Sequence, residues 1–196
     1  MKFCMMIVVL AGLPAFAQIK VSQPAPRGPE TAAKASAASP VVTSSGTPRP
    51  ARGLLRGIER QFDDNIAGAD VNDKLDLLGQ TRSIYLDGYG AVFTTELSLI
   101  ETPGTSSFRP SFNEAEKTAI HDRKAKHLAL LKTLMKDMMT TTASALTSIP
   151  FNDQIVLQVR LFYLSWENIN GLPLQITMQG DRKSVLAGLI QTTEEK

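Results

Sequence analysis

Between residues 113 and 149 apolar side chains return at the spacing of a helix. At 100° per residue, Ile120, His127, Leu131, Leu134, Met135, Met138, Thr142, Ala145 and Ile149 fall within about 60° of one line. The opposite side carries Asp122, Lys126, Ala129, Thr133, Lys136, Asp137, Thr140 and Ser144. One face is apolar and the other solvated, so this long helix must lie on something. Ser111 and Glu114 stand at capping-box spacing, and Pro110 and Pro150 bracket the run. At about 1.5 Å per residue it would span roughly 50 Å, and Thr140, Thr141 and Thr142 mark where a kink or break is expected.

The flanking patterns are of two kinds. Leu54, Leu55, Ile58, Phe62 and Ile66 share a helical face, with Gly68 as a stop, which predicts a first short helix. Residues 81–100 alternate as a hairpin about Asp87-Gly88, a two-residue turn that sets Leu86 opposite Tyr89 and Ile84 opposite Ala91. That register collects Ile84, Leu86, Tyr89, Ala91, Phe93, Leu97 and Leu99 on one buried face. Residues 102–110 read as a loop. Residues 154–166 read as a strand with Ile155, Leu157, Val159, Leu161 and Tyr163 inward, and Phe162, Leu164 and Trp166 make its second half apolar on both faces, as in a central strand. A turn over residues 167–171 leads to a returning strand carrying Leu174, Ile176 and Met178. Asp181 then caps a short helix with Val185, Leu186, Leu189 and Ile190 inward, and the last residues fray.

The expected architecture is α+β: a small antiparallel sheet built from two β-hairpins, packed against one long amphipathic helix and two shorter helices. In element order alone it resembles the small α+β folds of secretion chaperones.

Composition divides the chain into three parts. Residues 1–17 read as a signal peptide, with Lys2 at the start, an apolar core over residues 3–13 and Ala15-Phe16-Ala17 as a small-x-small cleavage site. Its apolar core falls short of the roughly 20 residues that a spanning helix needs, so no transmembrane span is expected after cleavage. Residues 18–53 form a disordered Pro/Ala/Ser-rich linker, with five basic residues against Glu30 alone. Residues 54–196 form a single domain with 15 basic and 18 acidic residues, a balance that argues against nucleic-acid binding. Cys4, the only cysteine, lies in the signal segment, so the mature chain has no thiol for catalysis, disulfides or metal binding. These features point to an exported bacterial protein, periplasmic or secreted.

Chemistry-bearing residues are few. His121 and His127 are six residues apart, about 120° around a helix, and cannot share a metal as an i, i+4 pair could. His121 reads as a surface residue. His127, inside the apolar stripe, is either hydrogen-bonded to a sheet or loop carbonyl or placed in a cleft between helix and sheet. Glu167 beside Trp166 could form a sugar-stacking site, against the commoner case of a packed tryptophan. Met135, Met138 and Met139 could line a peptide groove but suit a core equally. The run KTAIHDRKAKH, residues 117–127, reads as a solvated face, as do Asp63 and Asp64. Asp70, Asn72 and Asp73 open like a calcium loop, but Lys74 and Leu75 stand where a further ligand and the turn glycine belong. No cofactor or metal is implied.

His127, His121, Glu167 and Trp166 are therefore the candidate site residues. The leading expectation is a non-catalytic protein that binds a protein or envelope-polymer partner, through the long helix or an exposed sheet edge. The alternative is a small exported hydrolase or metal-assisted enzyme centred on His127. Self-assembly through the long helix is a third possibility.

Overall fold

The computed structural model describes residues 48–102 and 111–196. Residues 1–17, expected as a signal peptide, residues 18–47 of the expected linker and all but the first residue of the loop expected at 102–110 lie outside the described residues. In chain order the elements are α1 (Arg52–Gly68), β1 (Asp76–Leu77), β2 (Arg82–Leu86), β3 (Gly90–Ser98), α2 (Glu114–Ala145), β4 (Gln154–Leu161), β5 (Gln175–Asp181), α3 (Arg182–Leu186) and β6 (Gln191–Glu195).

Both longer helices follow their apolar spacing. Leu55, Ile58, Phe62 and Ile66 are the buried residues of α1, which begins two residues inside the stretch assigned to the linker. α2 is capped by Asn113, whose side chain accepts the Glu116 N–H at 2.9 Å while the Glu116 carboxylate accepts the Asn113 N–H at 3.0 Å. The capping box thus sits two residues beyond the Ser111–Glu114 pair, because asparagine serves as well as serine in that role. No break occurs at the threonines. Thr140 and Thr141 donate to the carbonyls of Lys136 and Asp137, and Thr142 is buried, so the β-branched run is held within the helix. At the far end, the buried Arg182 donates to the carbonyls of Ala143 at 2.9 Å and Ile149 at 3.3 Å. A cation at the C-terminus of α2 satisfies the Ala143 carbonyl that the helix itself leaves open, and ties Ile149 to it.

The six strands form one mixed sheet in the order β1-β3-β4-β5-β6, with β2 also on β3. The antiparallel two-hairpin expectation holds only in part. β3 and β4 run parallel, with Phe93 opposite Leu157, because α2 carries the chain back before β4 begins. β4 and β5 are antiparallel, but residues 162–174 join them in place of a tight turn.

The first hairpin is also shifted. Leu86 faces Gly90 and Ile84 faces Val92, so the connection is residues 87–89 and not a two-residue turn. A one-residue slip turns every side chain of β2 over. Tyr85 and Ser83 therefore share the helix-side face with Ala91 and Phe93, while Ile84 and Leu86 are exposed. Gly90 fixes this arrangement: its φ is 139°, and a Cβ there would overlap the Gln154 carbonyl oxygen at the start of β4.

Phe93, Leu97, Leu157, Val159, Ile176 and Met178 point toward the helices and join Leu131, Met135 and Met139 in the main core. The methionines are thus core and line no groove. Phe162, Leu164 and Trp166 lie past the end of β4, in the connection to β5, and do not extend a central strand. Val185 is buried, but Leu186 and Leu189 are exposed, because α3 ends at Leu186. The C-terminal residues do not fray: residues 191–195 pair with β5 as the edge strand β6.

Among the described residues no helix is long and apolar enough to cross a membrane.

Candidate functional site

The first turns of α2 extend beyond the main core. There Ile120 joins Ile100 and Phe112 in a second small apolar cluster, against which Trp166 packs. Trp166 stacks on Phe112 with ring centroids 4.3 Å apart. This partly buried ring packs against the cluster, the commoner of the two readings of Trp166. Each of the other three candidate residues has a defined partner.

His127 is 2% exposed. Its Nδ1 lies 2.6 Å from the Leu99 carbonyl oxygen, which can only accept, so Nδ1 carries the hydrogen. Nε2 lies 3.4 Å from an Asp73 carboxylate oxygen. The same carboxylate takes two hydrogen bonds from Arg123, at 2.5 and 3.1 Å, and this contact holds the Asp73 carboxyl below its ordinary range. Both imidazole nitrogens therefore face protein groups, and the ring ties the segment just after β3, α2 and the loop after α1 together. His121 is only half-buried, with Nδ1 2.9 Å from the Asn168 carbonyl oxygen.

Glu167 contributes most through a partner that its neighbours in sequence do not suggest. It forms an ion pair with Lys124 at 2.5 Å, with the two side chains 1% and 2% exposed. Lys124 is thus not part of a solvated face. Burial pulls its ammonium below the ordinary lysine range, and Glu167 opposes that shift. The ammonium also lies 4.9 Å from the centre of the Tyr163 ring, and the Tyr163 hydroxyl donates to the Pro173 carbonyl. Burial first, and the Glu167 charge second, raise the Tyr163 phenol above its usual value. The second Glu167 oxygen accepts the Leu164 N–H at 3.2 Å. Residues 162–174 are in this way clamped onto α2. A helical signal for Lys124 exists: it stands four residues after Ile120 and four before Leu128, on the buried stripe.

Asp63, expected to be solvated, instead accepts the N–H and hydroxyl of Thr81, and Glu59 likewise accepts both from Ser83. Among the described residues no group of three or more metal-ligating side chains comes together.

The clamped connection shapes a hollow of about 580 Å³ where β3 and β4 end. Leu78, Phe162, Ile169 and Leu174 line it while remaining 42–52% exposed. Glu96 and Arg160 stand at its rim, 3.7 Å apart and largely in solvent. Of the four candidate residues, only Glu167 contributes to its wall. A second, more polar hollow of about 500 Å³ adjoins it and shares Glu96 and Arg160. The hollow can bury apolar side chains of a ligand beside one charged pair, a composition suited to binding. Comparison with protein-family models, with curated proteins and with solved structures finds no match to this chain.

Proposed function

We propose that the chain is a non-catalytic binding protein of the exported, envelope or secreted space, and that it receives a macromolecular partner in the hollow walled by residues 162–174. The carrying observation is the concentration of exposed large apolar side chains, Leu78, Phe162, Ile169 and Leu174, around one concavity. Single exposed apolar residues are ordinary, whereas several gathered on a concave surface mark an interaction site. The firm mounting of these residues supports the same reading, since a preformed site loses less conformational entropy on binding. Export follows from the leader pattern of residues 1–17 and is part of the proposal.

Panning a random peptide library against the purified chain, with Leu174→Arg as the counter-selection, tests this reading. Enrichment of apolar-containing sequences on the wild-type chain, lost on Leu174→Arg, is the expected result. Libraries that stay unenriched on the wild-type chain, or enrich equally on both, would contradict it.

A further inference from the structure

The two adjoining hollows differ in chemistry, and their order across the sheet describes a ligand. The first is walled by Leu78, Phe162 and Leu174. The second is walled by Gln80, Arg82, Thr94, Gln158, Arg160 and Gln175 on the sheet face away from the helices. Arg82 is exposed and has no ion pair among the described residues, and Arg160 has only the loose solvent-exposed contact with Glu96. Two guanidinium groups thus face one carboxylate, and the floor between the hollows is open to a further negative charge.

Resting on the binding reading above, we infer that the joined hollows hold an extended polypeptide bearing an apolar side chain two residues from an acidic one, the apolar group seated against Phe162 and Leu174 and the carboxylate between Arg82 and Arg160. In an extended chain, side chains two residues apart project to the same side, roughly 7 Å from each other, so both can enter the two hollows that share Glu96 and Arg160. Arg offers paired donors suited to a carboxylate.

One further observation favours a peptide over another apolar acid. Gln158 donates to the Gln175 side-chain oxygen at 2.6 Å, which leaves an acceptor on Gln158 and donors on Gln175 for one peptide group.

Fluorescence anisotropy of labelled peptides on the purified chain tests the inference. The probes are Gly-Ser-Phe-Gly-Asp-Ser and its versions with Asn or Lys in place of Asp, and with Gly in place of Phe. The Phe/Asp peptide is expected to bind at least tenfold more tightly than the Phe/Asn peptide, and more tightly still than Phe/Lys. The difference between Asp and Asn should disappear in the Arg82→Gln/Arg160→Gln double variant, and binding of the Phe/Asp peptide should weaken with added salt. Equal binding of the Asp, Asn and Lys peptides would overturn the acidic-ligand inference while leaving the apolar hollow as a binding site. Failure of all the Phe peptides to saturate would overturn both. Binding of laurate without any peptide would transfer the site to lipid and likewise overturn the polypeptide assignment.

Discussion

The two ends of α2 do different work. From Leu128 to Ala143 its buried side chains meet the sheet through apolar contacts, with Leu131 and Met135 fully enclosed. From Glu114 to His127 it lies largely outside that core and meets Leu99, Ile100, Phe112 and residues 162–174. Its buried side chains there include an ammonium and an imidazole. The first region is stabilised by area removed from water, which needs only side chains of suitable size and shape. The second depends on charges withdrawn from water, which tolerate no change in only one partner. Apolar packing builds the scaffold, and the paired charges fix the segment that forms the hollow.

Removing one partner of the buried pair should give the largest effect. Lys124→Met leaves Glu167 enclosed without its cation and is expected to cost about 3–5 kcal/mol in denaturant unfolding. Replacing both charges, Lys124→Met with Glu167→Leu, should recover most of that loss. A double variant no more stable than the single one would show that the pair is not energetically closed. In the main core, Met135→Ala is expected to cost about 2–5 kcal/mol. Hydrogen exchange should separate the two cases: Met135→Ala lowers protection across α2 and β4 together, whereas Lys124→Met acts first on residues 162–174.

These two regions were unequally legible in the sequence. The stripe Leu131, Met135, Met138 and Thr142 has a period that only a helix satisfies, and all four residues are buried as expected. Asp181 was legible as a cap for the same local reason, and its carboxylate accepts the Ser184 N–H at 2.9 Å. Lys124 sits on that same stripe, yet its meaning depends on Glu167, 43 residues away. Periodicity shows which side of a helix is buried but not which distant residue completes it. The hairpin failed differently: Asp87-Gly88 suits a two-residue turn, but Gly90 is required for the close passage of β4, a contact made only in the folded sheet. The parallel pairing of β3 and β4 is likewise a property of the chain path around α2. The hollow was illegible because Leu78 and the two ends of the β4–β5 connection, Phe162 and Leu174, are far apart in the chain and none lies in a binding motif.

Smaller effects sharpen the contrast at the sheet's other end. Burial, together with the hydrogen bond to Asp153, pushes the Tyr85 phenol up to about 12 from an ordinary value of 10.0. Because the folded value is raised, the contribution of Tyr85 is fully present below pH 10.0 and is lost as pH rises through about 12. Tyr85→Phe should flatten that alkaline loss in a stability profile; an unchanged profile would assign the loss to another group.

The smallest effect is expected at Asp73. Its folded value lies below 3.8, so its contribution is present above pH 3.8 and disappears as pH falls through the folded value. Arg123→Leu should raise the Asp73 value in a carboxyl NMR titration and cost only about 0.2–1 kcal/mol, because the guanidinium is partly in solvent. A carboxyl titration that does not move would detach Arg123 from the Asp73–His127 contact.

The claim that residues 162–174 and the sheet face beside them form the binding surface can be read residue by residue. We would add the Gly-Ser-Phe-Gly-Asp-Ser peptide to the isotopically labelled chain and follow backbone and methyl NMR signals. The expected result is saturable shifts confined to Leu78, Arg82, Glu96, Gln158, Arg160, Phe162, Leu174 and Gln175, with Leu131 and Met135 unmoved. Saturable shifts along β6 or the exposed side of α2, with the hollow silent, would contradict the account.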